Sequence, residues 1–320
     1  MAKKRYTKKG SSEPAVYSVT LVTPGSGSGG SYNGDYYCDL SQIASLINRR
    51  FYRQGINWAV SGFKVFSSKS GSVKIAKIPT SWVAFNSWTK AFNAWNRQQK
   101  EALAEAGGES AAAKFRDFKI FADVGHVTAG VAANLLPVDD AGNPALPGEW
   151  EMSQIVIPNA GAPGVTEERF LHMVGLNANG TVSRGIIEGY ADSRAYPQSP
   201  DPVSPDLDSA NNWLARMFDV GDNMPEILDN ATDKNDNLPY DQDEYPGGST
   251  NMPGLEYHDV TRLVSYSTSS QDIGVQYLKG GQFPCGLIKF TWEADENDGN
   301  VVIQIDLVPG PHRGYLCEKM

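Results

Sequence analysis

Residues 282–310 read QFPCGLIKFTWEADENDGNVVIQIDLVPG, and the fold is decided in this stretch. Two apolar-rich runs, 286–292 and 301–308, flank a hydrophilic segment, 293–300. In the first run Leu287, Lys289 and Thr291 share one face, and Ile288, Phe290 and Trp292 the other. In the second, Val302, Gln304 and Asp306 alternate with Val301, Ile303, Ile305 and Leu307. A period of two is that of strands with one buried face. β-Branched and aromatic residues fill both runs, and Asn297-Asp298-Gly299 supplies turn chemistry between them. The spacing predicts a long antiparallel hairpin, with earlier strands pairing to it and covering its apolar face.

The rest of the chain offers those strands. Alternating or apolar runs at 15–23, 36–40, 58–66, 72–78, 115–122, 150–157, 170–175, 182–190, 256–267 and 273–277 read as strands. Residues 41–53 have helical spacing in Ile43, Leu46, Ile47 and Phe51, with Arg49, Arg50 and Arg53 at the far end. The strongest helix opens at Pro79 and runs to about 106. Trp82, Phe85, Trp88, Phe92 and Trp95 form its stripe, read as a cover for a sheet or a contact with a neighbouring subunit. A short helix is expected at 210–218. Residues 124–149 read as loop, and four prolines at 197, 200, 202 and 205 mark an extended excursion. Strand and helix do not alternate regularly, so a parallel sheet is disfavoured. The pattern fits an all-β sandwich or jelly roll with two or three inserted helices and long loops.

At 320 residues the chain can form one large β domain. Its three cysteines, Cys38, Cys285 and Cys317, have no metal-ligand spacing and are expected as buried free thiols. The start shows no secretory signal, and no run nears the ~20 apolar residues that span a bilayer. A soluble protein from a reducing compartment, without membrane insertion, is expected. The net charge of −9 is unevenly spread. Residues 1–120 carry 18 Lys+Arg and 7 Asp+Glu, a balance of +11, and the remainder carries 10 and 30, a balance of −20.

Residues 1–12 form a basic arm with Lys3, Lys4, Arg5, Lys8 and Lys9. Such a run buries no apolar surface and suits polyanion binding through counterion release. Lys3, Lys4, Arg5, Lys8, Lys9, Arg49, Arg50 and Arg53 are therefore the candidate nucleic-acid-binding residues. The cluster also fits a nuclear-localisation signal.

Catalytic patterns are missing. His126, His172, His258 and His312 are widely spaced, and no HExxH, GxSxG or phosphate-binding GxxxxGK[ST] occurs. Gly25, Gly27 and Gly30 match the dinucleotide spacing, but Ser31-Tyr-Asn-Gly-Asp does not start a helix that could receive a pyrophosphate. One acidic run has calcium-loop spacing: Asp233, Asn235, Asn237, Asp241 and Glu244, with Leu238 where such a loop needs glycine. A solvated acidic loop is the alternative. No other cofactor is expected, and no enzymatic role.

Three features together resemble a family. The basic start precedes a many-stranded chain, and 55–66 (GINWAVSGFKVF) looks like an early jelly-roll strand of small viral coat proteins. The segments 283–290 (FPCGLIKF) and 307–315 (LVPGPHRGY) resemble the last strands of capsid proteins of small circular single-stranded DNA viruses. The resemblance implies a basic arm at 1–12 and a single jelly-roll antiparallel β-sandwich over 13–320, with a Pro/Asp-rich loop excursion at about 195–255. It further implies self-assembly into an icosahedral shell of roughly 60 or more copies. The arm would package a single-stranded genome without sequence preference. The expected location is the virion, with the host nucleus during assembly, and a host receptor of unknown identity. The alternative is a jelly-roll, lectin-like carbohydrate-binding module, with calcium in the acidic loop.

Overall fold

The computed structural model describes residues 13–24, 34–108, 117–158, 165–176, 178–180, 182–195, 245–264, 274–295 and 300–320. The arm, the helix expected at 210–218 and the calcium-spaced residues Asp233, Asn235, Asn237, Asp241 and Glu244 lie outside them. The chain begins with β1 (Ser18–Val22) and β2 (Gly34–Asp39), then α1 (Leu40–Asn48), β3 (Ile56–Ser67) and β4 (Gly71–Lys77). Next come α2 (Trp82–Glu105), α3 (Val124–Ala129), β5 (Gln154–Pro158), β6 (Thr166–His172), β7 (Ala178–Asn179), β8 (Ser183–Gly185) and α4 (Ile186–Ala195). The last elements are β9 (Glu256–Leu263), β10 (Gly274–Pro284), β11 (Leu287–Ala294), β12 (Val301–Leu307), β13 (Pro309–Gly310), β14 (Gly314–Tyr315) and β15 (Cys317–Lys319).

Two antiparallel sheets form the frame. One has the order β1-β12-β3-β10, with β15 also pairing β3, and the other β2-β11-β4-β9. Counted along the chain, these eight long strands lie 1-8-3-6 and 2-7-4-5. Every link but the fourth-to-fifth crosses from one sheet to the other. That order is the jelly roll, so the all-β jelly-roll expectation holds.

The two runs of the opening stretch are strands, as their alternation predicts, but not a hairpin. β11 pairs with β2 and β4, whereas β12 pairs with β1 and β3. Ile288, Phe290 and Trp292 of β11 are buried in one core with Val301, Ile303, Ile305 and Leu307 of β12. Both strands have a fully apolar inner face, which suits opposite walls of a sandwich. Alternation tells which side of a strand is buried, not which strand lies beside it.

Everything from residue 78 to 255 is inserted, in sequence, between the neighbouring strands β4 and β9. Its described part has its own small sheet, β5-β6-β8-β7, in which β6 and β8 run parallel. It also has its own core: Val83, Ala84 and Trp88 of α2, Phe118, Ile120, Leu171, Met173 and Ile187. Tyr37, Cys285 and Leu287 of the frame join that core, so the insertion is a second layer against the sandwich. Three local expectations need correction here. The described part of 115–122 forms no strand: Phe121 makes an isolated bridge to His172, and Lys119 O and Ala122 O accept from Ser153 N and Val174 N. Residues 182–190 are strand only over β8 and then turn into α4. The expected loop 124–149 contains α3, capped when Asp123 Oδ1 accepts from His126 N at 2.8 Å.

Four of the five aromatics in the α2 stripe meet the second core, Trp88 buried and Phe85, Phe92 and Trp95 packed against it, while Trp82 at the start of the helix is exposed. Trp88 and Phe92 stack with centroids 5.3 Å apart, and Trp88, Phe92 and Trp95 all meet Phe118. Cys38, Cys285 and Cys317 are free thiols, the first two fully buried. No helix among the described residues is long and apolar enough to cross a membrane.

The antiparallel registers put α1, the insertion, the β10–β11 turn, the segment after β12 and the residues before β1 at one end of the sandwich.

Candidate nucleic-acid interface

Helix α1 organises this end. Asp39 caps it: Oδ1 accepts from Ser41 N at 2.8 Å and from Gln42 N at 3.4 Å, while Oδ2 accepts from Gln54 Nε2 at 3.0 Å. The helix stops at Asn48, five residues short of the predicted end at 53, because Arg49 takes the left-handed conformation, φ 53°. Glycine usually fills that position. Arg49, Arg50 and Arg53 therefore lie on the connection to β3 rather than on the helix.

The residues that follow the arm are fastened to the same connection. Arg50 pairs with Glu13 at 3.2 Å and donates to Pro14 O at 3.0 Å. Val16 N donates to Asn48 Oδ1 at 3.1 Å. From the other side, Tyr315 donates its hydroxyl to Val16 O at 2.6 Å. Arg313 donates its guanidinium to Phe51 O, and Tyr52 donates its hydroxyl to Arg313 O at 2.9 Å. Gly314, at φ +106°, is required where the chain passes Ala15: an added Cβ would sit 2.5 Å from Ala15 Cβ. Chain continuity at Glu13 thus starts the arm beside Arg50 and Arg313.

A cleft of about 540 Å³ opens next to this anchor, between α2 and the C-terminal segment. Phe51, Trp88 and Phe92 supply aromatic wall. The charged lining side chains are Arg53, Arg313, Lys319 and Asp117. Arg53 and Lys319 are exposed, and neither makes an ion pair among the described residues. On the sheets Lys64 pairs with Asp306 at 3.1 Å, Lys289 with Asp35 at 2.8 Å, and Arg262 with Asp295 at 2.7 Å, whereas Lys77, Arg184 and Lys279 make no ion pair among the described residues. Arg49, Arg53, Arg313 and Lys319 thus lie at the arm's end without an ion pair among the described residues, while Arg50 there is paired with Glu13. Of the eight predicted cations, Arg49, Arg50 and Arg53 gather there, and the five of the arm lie outside the described residues. Sequence reasoning missed Arg313 and Lys319, because each is a single cation in a segment without a basic run. Their signal was position, inside or just after the 307–315 motif.

Beneath the surface is a polar network that ties α1 to the insertion. Gln54 Oε1 accepts from Ile120 N at 2.7 Å, and Gln42 Oε1 accepts from Asn134 Nδ2 at 3.0 Å. His126 Nδ1 accepts from Ala122 N at 3.2 Å, so the ring's proton is on Nε2, which donates to Asn134 Oδ1 at 2.8 Å. Burial pushes the Asp39 carboxyl up to about 7 and the His126 imidazole down to about 4. Burial also lowers His172, whose Nε2 meets Leu176 O at 2.9 Å and whose Nδ1 meets Ser183 Oγ at 3.0 Å. Both histidines are bonded on both nitrogens, which is structural use. No cluster of three metal-ligating side chains occurs among the described residues.

Comparisons with protein-family models, with curated proteins and with solved structures return no match. The functional reading therefore rests on this geometry and on the residues that produce it.

Proposed function

We propose that this chain is a capsid subunit that assembles into a closed shell and holds a single-stranded genome at its basic end. The observation that carries the reading is a juxtaposition. Glu13, where the arm meets the jelly roll, is fixed by Arg50 and passes the backbone of Gly314, with Arg53, Arg313 and Lys319 in the adjoining cleft. A jelly roll that sends every arm and this end inward multiplies a modest local charge over all copies. The sequence-independent chemistry of such an end, point charges without an ordered donor–acceptor pattern, suits phosphate rather than base recognition.

Assembly needs uncommitted apolar surface, and the adjoining edge strands β9 and β10 have exposed apolar side chains. Val260 and Tyr257 on β9 and Tyr277 on β10 are exposed, Tyr277 at 72%. Electron microscopy and light scattering of the purified chain across pH and salt test the reading. Uniform shells are the expected result. A protein that stays monomeric under every condition overturns it, and glycan binding by that monomer would favour the lectin-like alternative.

A further inference from the structure

The cleft between α2 and the C-terminal segment has two chemistries that one ligand uses together. Phe51, Trp88 and Phe92 contribute aromatic side chains to the lining, Trp88 and Phe92 stacked on each other. Arg53, Arg313 and Lys319 present cations at the rim. The carboxylate in the lining, Asp117, is buried and lies 3.3 Å from Lys119 Nζ, although neither of its oxygens has a hydrogen-bond partner among the described residues. Trp88 is 7% exposed, and its indole N–H has no hydrogen-bond partner among the described residues. Gly55 is glycine because the Trp88 ring lies where its side chain would be: an added Cβ would fall 2.0 Å from that ring, so the indole is held against the cleft wall.

We propose that this cleft is a site for one nucleotide of the bound strand, with the base against Phe51 and Phe92 and the phosphate on Arg53, Arg313 and Lys319. The inference rests on the reading of this end as the nucleic-acid face and adds a discrete pocket to it. A volume of about 540 Å³ is in the range of small-molecule sites. Stacking on aromatic planes is open to every base, and arginine adds cation–π attraction, so the site orders a strand without reading its sequence. The chain's own cationic arm is excluded as occupant by like charge. An acidic peptide would satisfy the cations but leave the aromatic planes unused.

The test uses the full chain titrated with thymidine 5′-monophosphate, thymidine, inorganic phosphate and an acidic hexapeptide. The nucleotide should bind at least about tenfold more tightly than any of the other three, since only it engages both walls. Arg53→Gln with Lys319→Gln removes exposed cations without touching the core and should weaken the nucleotide about tenfold. Phe92→Leu keeps an apolar filler but loses the plane, and should weaken the nucleotide while leaving phosphate binding unchanged. The proposal is overturned if the nucleotide binds these variants as it binds the parent, or if phosphate or the peptide binds as tightly as the nucleotide. A chain that binds the nucleotide but never forms shells would overturn the capsid reading alone. Shells whose subunits ignore the nucleotide would overturn the cleft alone.

Discussion

Asn48 and Tyr315, 267 residues apart, are joined by a hydrogen bond of 2.7 Å from the Asn48 amide to the Tyr315 hydroxyl oxygen. Between them they hold both backbone groups of Val16, its N–H on Asn48 Oδ1 and its C=O on the Tyr315 hydroxyl. Tyr315 is 1% exposed and packs edge-on against Tyr17 and Tyr52. The root of the arm is thus clamped by a helix end and by the last turn of the chain.

Tyr315→Phe keeps that packing and deletes the shared oxygen. It leaves the Val16 carbonyl and the Asn48 amide without their partner, which costs about 1 kcal/mol where water can partly replace it. Urea unfolding should show a loss of that size. Amide exchange at Val16 should accelerate more than exchange in β3. Equal protection at both places in the variant would mean that the clamp does not hold the arm's root.

Arg49 occupies a left-handed helix cap, where a side chain is strained and glycine is not. Arg49→Gly should therefore stabilise the fold by up to about 1 kcal/mol, the strain relieved less the added freedom of the unfolded chain. The same change deletes one cation at the interface. Strand affinity should fall while the melting temperature rises. A variant that is both less stable and equally tight in binding would contradict the role assigned to Arg49.

Asp39 and His126 make stability depend on pH in opposite senses. Asp39 titrates at about 7 in the folded protein against 3.8 for a free carboxyl. Between those values the folded state holds a proton that the unfolded state lacks, so this group's contribution falls as pH rises from about 4 to 7. His126 titrates at about 4 against 6.5. Over that window the unfolded state holds the extra proton, so its contribution rises with pH. The two offset one another up to about pH 6.5, and Asp39 acts alone from there to about 7. Asp39→Asn should remove this group's falling part, though not that of Asp117, whose carboxyl is also raised by burial, so stability should climb more steeply with pH from 4 to 6.5 than in the parent. Its absolute stability should drop, because the Gln54 amide then faces a second amide, so the slope across pH is the quantity to read. An unchanged slope would place the titrating group elsewhere.

Much of the sandwich was legible from alternation. The inner faces of β11 and β12 are the ones that their period of two indicates, and the start of β3 and the span of α2 follow from local pattern. Pairing was not legible. β12 lies beside β1 and β3 because of long-range packing, and nothing local separates a hairpin from two opposed strands with equally apolar inner faces. Residues 186–190 are apolar enough for a strand, yet they continue as α4, packed on the second core through Ile186 and Ile187. At the candidate site, the clustering of Arg49, Arg50 and Arg53 was visible as a basic run. The addition of Arg313 and Lys319 depends on the roll bringing both ends of the chain together, which spacing alone does not encode.

The arm should hold nucleic acid by charge, and its deletion separates charge from fold. Lys3, Lys4, Arg5, Lys8 and Lys9 precede an anchor that begins at Glu13, and the hydrogen bonds of Pro14 and Val16 run to Arg50, Asn48 and Tyr315. Removing residues 2–9 should therefore leave the melting temperature unchanged. On single strands each neutralised phosphate contributes about −0.7 to the slope of log affinity against log salt, so five contacts account for roughly −3.5. The truncated chain should lose that much slope and retain a smaller one from Arg49, Arg53, Arg313 and Lys319. Binding of unrelated single strands at several salt concentrations measures both slopes. Equal slopes would move the genome contact from the arm to the cleft end. A shallower slope together with a lowered melting temperature would mean that the arm packs on the domain, which its composition argues against.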